Sequence, residues 1–139
     1  MTSEVRQWFV KALEDYQVAQ HELVLPETDV LTTAVCFHCQ QFVEKVLKAF
    51  WVLHQRDFPR THDLGYLKSL CAQIDADFKD LTIEELSFYA VEFRYPGDYV
   101  RPTVEADSRT TSLPLASTHV QSLSHGVCAR PLQFDALCA

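Results

Sequence analysis

The chain is poor in glycine and in basic residues. Only 3 of its 139 residues are glycine, which argues against an all-β fold rich in tight turns. Its 12 Lys and Arg against 19 Asp and Glu give a formal net charge of −7. This acidic balance argues against general polyanion binding, and any nucleotide contact needs a local basic patch.

Several motifs are also missing. The sequence has no Gly-rich phosphate loop, no GxSxG or HExxH motif, and no apolar run of about 18 residues. Its first residues lack the pattern of a signal peptide. The five cysteines have no disulfide-framework spacing, which favours reduced thiols. We expect a cytoplasmic protein that does not span a membrane and holds no metal or cofactor.

Apolar residues recur at helical spacing in four stretches. Ser3 is expected to cap the first helix, and the second runs from about residue 30 to 54. Either Thr61 or Asp63 can cap the third. The fourth spans residues 82–95, because Thr82-Ile83-Glu84-Glu85 is a capping box and Pro96 prevents continuation.

The last part of the chain has a different composition. A weak fifth helix is predicted from about Val104, followed by a loosely ordered tail. We place a boundary between residues 1–107, the helical domain, and residues 108–139, a carboxyl-terminal segment. The only charged residues in that segment are Arg109, Arg130 and Asp135.

The predicted second helix carries a polar seam beside its apolar face. His38, Gln41 and Lys45 lie at the edge of that face. His38 is either a ligand-binding or acid–base histidine, or a partly buried one satisfied by a neighbouring helix. The predicted core face consists of Leu31, Val35, Phe42, Val46, Ala49 and Leu53.

Other polar residues on this helix have simpler interpretations. Glu44 and Lys48 have the spacing of a solvated i,i+4 salt bridge, whereas Lys45 has no ready partner. Phe37 and Trp51 lie on the otherwise polar side, which indicates a second buried surface, such as an interface with another subunit.

Three further motifs carry possible chemistry. Cys36-x-x-Cys39 lies inside a helix without a preceding strand or a second ligand pair, so core packing is favoured over redox or zinc chemistry. Arg60-Thr61-His62 precedes the third helix and is either a small phosphate site or a capping loop. Arg94, before Pro96, can pair with an acidic residue or reach the same anion.

Three blocks together resemble the HEPN family (higher eukaryotes and prokaryotes nucleotide-binding domain). They are His38-x-Gln40-Gln41-x-x-Glu44-Lys45-x-x-Lys48-Ala49, then Pro59-Arg60-Thr61-His62-Asp63-Leu64, then Arg94-Tyr95-Pro96. The resemblance covers roughly residues 5 to 107. It implies an all-α, up-and-down four-helix bundle with an additional short or irregular fifth helix, and it implies a homodimer.

Many small prokaryotic members of this family act with a minimal nucleotidyltransferase in a two-component, toxin–antitoxin-like system. The resemblance therefore implies a module that binds a nucleotide or another phosphate-bearing ligand beside such a partner. We assign no catalytic residue. The predicted ligand-binding residues are His38, Gln41, Lys45, Lys48, Arg60, His62 and Arg94.

Two alternatives are kept. Some HEPN proteins are metal-independent RNases that use an Arg followed four to six residues later by a His, near a helix end, across a dimer interface. Arg56 and His62 have that spacing but enclose a proline-containing loop, and no His follows Arg94 at that interval. The second alternative is a purely structural interaction module whose polar seam is only a buried network.

Overall fold

The computed structural model describes residues 2–83, 86–87 and 96–97. Within them the chain is helical, without a strand, which confirms the all-α class for this part. The helices are α1 (Ser3–Leu23), α2 (Thr32–Leu53), α3 (Leu64–Ala72) and a short 3-10 helix (Ala76–Asp80). Most of the predicted fourth helix, the whole fifth helix and the boundary at 107 lie outside the described residues, so the complete bundle stays a prediction.

The N-cap of helix α1 is Thr2, one residue before the predicted cap. Thr2 has an extended backbone and its hydroxyl accepts a hydrogen bond from the Val5 N–H at 3.3 Å. Ser3, the predicted cap, is already helical. A hydroxyl at the N-cap satisfies one of the otherwise unpaired amide groups of the first turn.

Helices α1 and α2 pack antiparallel. Near their connection, the Glu22 carboxylate accepts a hydrogen bond from the Leu31 N–H at 2.8 Å. Midway along α1, Asp15 pairs with Lys45, midway along α2. Contacts that move away from the connection along both helices at once are possible only when the helices run in opposite directions.

Most of α2 is buried, and the predicted core face is largely confirmed. Val35, Phe42, Val46 and Ala49 are all buried. Leu31 was predicted to join them but is 58% exposed, because it precedes the helix and is not held on the helical face. Helix α2 therefore forms the centre of the described part of the chain.

The third helix is capped by Asp63, one of the two predicted candidates. Its carboxylate accepts a hydrogen bond from the Tyr66 N–H at 3.0 Å. Thr61 instead accepts from the Asp63 N–H at 3.1 Å, within the preceding loop. After α3, the 3-10 helix, which the sequence pattern had not predicted, buries Phe78 against Phe50, with ring centroids 4.6 Å apart.

The end of α2 has the hydrogen bonds of a Schellman motif. The Arg56 N–H donates to the Trp51 carbonyl at 3.3 Å, and the Gln55 N–H donates to the Val52 carbonyl at 2.9 Å. Gln55 takes a left-handed conformation with φ of 57°, which is usual for glycine at this position. The motif reverses the chain, so that the loop at 56–63 returns along α2.

Candidate ligand-binding site

The returning loop meets α2 at a buried carboxylate. We call the group formed by Gln40, Glu44, Lys48 and His62 the Glu44 cluster. The side chain of Glu44 is 5% exposed, and its oxygen Oε1 accepts from Lys48 Nζ at 2.6 Å. Gln40 Nε2 donates to Oε2 at 3.0 Å. The predicted i,i+4 salt bridge between Glu44 and Lys48 is confirmed. The prediction that it is solvated is wrong, because both side chains are buried.

His62 joins the cluster from the loop. Its Nδ1 lies 3.1 Å from Glu44 Oε1 and 3.0 Å from Oε2, while 67% of its side chain is exposed. Gln40 Nε2 also lies 3.4 Å from the His62 carbonyl oxygen. The loop is therefore held on α2 through both the backbone and the ring of His62, and the rest of the ring faces solvent.

The charge of Glu44 follows from these contacts. Burial by itself raises the pKa of Glu44. The hydrogen bonds that its partners donate outweigh burial, the one from Lys48 most, and hold the pKa below its ordinary value. Glu44 is therefore a carboxylate at neutral pH, and it can only accept hydrogen bonds.

Two aromatic side chains cover the Lys48 side of the cluster. Lys48 Nζ lies 5.2 Å from the centre of the Phe58 ring and 6.0 Å from that of Trp8. The two rings meet edge to face, with centroids 5.2 Å apart. Cation–π attraction to both rings adds to the ion pair with Glu44. The aromatic pair therefore shields the Glu44–Lys48 ion pair from water.

A second group of the same residue types ties α1 to α2. We call Asp15, His38 and Lys45 the Asp15 cluster. Asp15 Oδ1 lies 2.8 Å from His38 Nδ1, and Oδ2 accepts from Lys45 Nζ. The side chains are 11%, 27% and 24% exposed in that order. Lys45 therefore has a partner, Asp15 on α1. The sequence alone does not give the alignment of α1 against α2 that brings the two residues together.

A neighbouring glutamine extends the Glu44 cluster along α2. Gln41 Nε2 donates to Gln40 Oε1 at 2.7 Å, and Gln40 in turn donates to Glu44. Gln41 is partly buried, as its predicted place at the edge of the core requires. Because the Gln40 amide accepts from Gln41 and donates to Glu44, its orientation is determined by both partners.

The remaining predicted ligand residues lie elsewhere. Arg60 is exposed in the loop two residues before His62. Arg94 lies outside the described residues. Six of the seven predicted ligand-binding residues are thus placed. Lys48 and His62 share the Glu44 cluster, and His38 and Lys45 share the Asp15 cluster. Gln41 contacts Gln40 of the Glu44 cluster, and Arg60 lies on the same loop as His62. Whether any of them binds a ligand stays a prediction.

The spacing of Arg56 and His62 does not bring their side chains to one point within the chain. The Arg56 guanidinium lies 5.6 Å from the centre of the Trp51 ring. His62 contacts Glu44, seven residues earlier on α2, a separation of roughly 10 Å along the helix axis. Trp51 itself is buried within the chain, and its Nε1 donates to the Asp57 carbonyl at 2.7 Å. It therefore gives no support to a subunit interface.

Cysteine and metal chemistry receive no support in the described part. Cys36 and Cys39 are buried, as core packing predicts. Cys71 is also buried, and burial raises the pKa of its thiol to about 12, so it stays protonated at neutral pH. No group of three or more potential metal ligands occurs among the described residues. Nor does a helix within them have the length and apolar character to cross a bilayer.

Sequence reasoning missed Asp15, Trp8 and Phe58. The first helix was predicted from its apolar residues, which do not include Asp15. Asp15 matters because it faces Lys45 on α2 and forms an ion pair with it. Trp8 and Phe58 are far apart in the chain, so no local pattern predicts that their rings meet beside Lys48. A signal did exist for Gln40, since it stands four residues before Glu44 on the same helix face.

The comparisons with known proteins agree with this arrangement of helices. The family model of the HEPN domain matches residues 5–113, which is most of the chain. That range includes both clusters and the whole described part apart from its first residues. No curated protein and no solved structure matches the chain.

Proposed function

The chain belongs to the HEPN domain family, and from this premise we propose that it is a module that binds a nucleotide or another phosphate-bearing ligand beside the Glu44 cluster. We further propose that it is a cytoplasmic homodimer acting with a minimal nucleotidyltransferase in a toxin–antitoxin-like system. Dimerisation and nucleotidyltransferase partners are known properties of the family, and we propose them for this chain on that basis.

The observation that carries the ligand proposal is the position of His62. Its ring is anchored on Glu44 and yet mostly exposed, and exposed Arg60 stands two residues away on the same loop. Arginine can bind a phosphate through two parallel hydrogen bonds. An anchored histidine beside it loses little conformational entropy on binding.

The other predicted residues take indirect roles in this proposal. Lys45 and Lys48 each face a carboxylate, so their charges are already compensated within the fold. They hold Asp15 and Glu44 in place, and Gln41 supports Gln40. Arg60 and His62 are the proposed direct contacts. Arg94 is proposed as a further contact by sequence alone.

Native mass spectrometry of the full chain, gently purified from its own cells, tests the proposal. We expect a dimer that carries a nucleotide-sized mass or a nucleotidyltransferase subunit. Arg60→Gln should lose most of the bound small molecule. The matched control is Lys11→Gln, which changes the net charge by the same amount at an exposed lysine paired with Glu14. Equal occupancy in both variants would place the ligand elsewhere.

The structural-module alternative is favoured by one observation. In the Glu44 cluster, the buried polar groups satisfy one another, and a network of this kind can serve the fold alone. A bare dimer, with no added mass in the wild type, would support this alternative and contradict the ligand proposal.

The ribonuclease alternative is favoured by the pairing of His62 with a carboxylate. A carboxylate at Nδ1 orients an imidazole and selects its tautomer, as acid–base catalysis requires. RNA cleavage by the purified protein that is lost in His62→Ala would favour this function over binding alone.

A further inference from the structure

Three apolar side chains are exposed together at the connection between α1 and α2. Val24 is 82% exposed, Leu31 58% and Leu25 43%. They make up half of the six large apolar side chains that are exposed in the described part of the chain, and all three lie between residues 24 and 31. Single exposed apolar residues are common, whereas a group of them marks a surface that binds something. We call these three residues the connection patch.

Hydrogen bonds hold the backbone of this connection in place. The Leu25 N–H donates to the Glu22 carbonyl at 3.1 Å, and the Leu31 N–H donates to the Glu22 carboxylate at 2.8 Å. Between them, the Asp29 N–H donates to the Pro26 carbonyl at 2.8 Å and closes a turn. The connection patch is therefore carried on an ordered backbone, so that little conformational entropy is lost when a partner binds.

The surroundings of the connection patch carry negative charge. Glu27 and Asp29 are exposed between its members, and Glu22 lies directly before it. From residue 12 to residue 44 the sequence contains no lysine or arginine. The exposed ring of His21, in the last turn of α1, adds at most one positive charge against the three carboxylates. Apolar side chains and acidic groups therefore share this end of the two helices.

We propose that the connection patch binds a second protein, through a segment in which apolar side chains are flanked by lysine or arginine. The apolar side chains of that segment are buried against the patch, and its basic side chains face Glu27 and Asp29. Complementary charge of this kind selects the partner and speeds the encounter. The inference goes beyond the proposed function, because it depends neither on a ligand at Arg60 and His62 nor on the kind of partner proposed above.

The charge pattern argues against two other occupants. A second copy that docks by two-fold symmetry places the patch on itself, so that its carboxylates face one another. Like charges brought together at an interface are unfavourable. The chain's own residues 108–139 contain only two basic residues, Arg109 and Arg130, which are far apart in the sequence. A basic segment of a different protein matches the patch better than either.

Site-specific photo-crosslinking, in the cells that make the protein, tests the proposal. A photoreactive amino acid replaces Val24 in the full chain, and a matched chain carries it in place of Tyr66, which is 48% exposed on α3. Mass spectrometry then identifies the cross-linked peptide. From the position of Val24, and not from that of Tyr66, we expect a peptide of a different protein in which lysine or arginine flanks apolar residues.

The affinity for that protein, once purified, is then measured by calorimetry with variants of the full chain. Leu31→Ser removes an exposed apolar side chain and should weaken binding about tenfold, as expected for a leucine that becomes buried in the complex. Glu27→Gln combined with Asp29→Asn should weaken binding about fivefold and reduce its dependence on salt. Glu4→Gln combined with Glu14→Gln removes the same charge from exposed positions of α1 and should change the affinity little.

The opposite results overturn the proposal. A cross-link from position 24 to residues 108–139 would assign the patch to the chain's own end, and one to a second copy would assign it to a self-interface. An absence of any cross-link, or a cross-linked peptide without basic residues, would also contradict it. So would an affinity that Leu31→Ser leaves unchanged. None of these results bears on the ligand proposal, which the occupancy of Arg60→Gln tests separately.

Discussion

The Asp15 cluster and the Glu44 cluster are built from the same parts but serve different connections. In each, a carboxylate on a helix faces one lysine and one histidine. Asp15 joins two helices, and all its partners come from α2. Glu44 joins a helix to a loop, because Lys48 lies on its own helix and His62 arrives with the loop.

The two clusters also differ in where solvent reaches them. In the Asp15 cluster, the lysine and the histidine are similarly exposed, at 24% and 27%. In the Glu44 cluster the lysine is 8% exposed and the histidine 67%. The comparison teaches that an ion pair can be buried while a histidine bonded to the same carboxylate stays mostly exposed to solvent.

Breaking one ion pair in each cluster should have the largest effect and should separate them. Lys48→Met leaves the buried Glu44 carboxylate without its main partner, and we expect a loss of about 3 kcal/mol in the free energy of unfolding. Lys45→Met acts on a more accessible pair and should cost about 1 kcal/mol. Urea unfolding measures both. Lys11→Met, at an exposed pair, is the control and should change nothing measurable.

Equal losses in the two variants would contradict this contrast. They would mean that burial does not distinguish the lysines in solution. A loss for Lys48→Met that is recovered by a further change of Glu44 to Leu would instead strengthen it, since an apolar pair of similar size can replace a buried ion pair.

The pH dependence of stability should sharpen the same comparison. The folded-state pKa of Glu44 is lowered, so its ionisation stabilises the fold above the unfolded-state value of 4.5. That contribution is lost as the pH falls from this value through the folded-state pKa. Glu44→Gln should therefore flatten the dependence of the urea midpoint on pH below about 5.

Glu14→Gln is the matched control for that measurement, because Glu14 is an exposed carboxylate paired with Lys11 on the surface of α1. It should leave the pH dependence close to that of the wild type. If Glu44→Gln also leaves it unchanged, the hydrogen bonds to Glu44 do not lower its pKa in solution.

The smallest expected effect on stability comes from the turn at Gln55, which leads into the loop that carries His62. Gln55 holds a left-handed conformation, which costs a residue with a Cβ on the order of 1 kcal/mol. Gln55→Gly should therefore raise the free energy of unfolding by roughly 0.5 kcal/mol, after the greater freedom of glycine in the unfolded chain is subtracted. Gln55→Val should lower stability, and a gain from valine would contradict the left-handed turn.

The sequence predicted the helices better than the contacts between them. The spacing of Val35, Phe42 and Val46 identified the buried face of α2, because helical period depends on local residues. The pairing of Lys45 with Asp15 depends on how two helices are aligned, 30 residues apart in the chain. No local pattern contains that alignment, so Lys45 was interpreted as unpaired.

Only part of the candidate site was predicted, because the rest depends on contacts between distant parts of the chain. His62 and Arg60 were identified by their chemistry and by resemblance to the family. The burial of Glu44 and Lys48 was not foreseen, because their i,i+4 spacing is equally compatible with an exposed face. What decides between the two is the cover supplied by Trp8 and Phe58, which come from other parts of the chain.

The reversal at Gln55 has a consequence for how the loop can vary. From that turn to the cap of α3, the chain is attached to its surroundings at Asp57, Phe58 and His62 in succession. Because these contacts are so closely spaced along the chain, an inserted or deleted residue between them would break at least one of them. Related chains that keep this site are therefore expected to preserve the length of this loop, even where its amino-acid sequence differs.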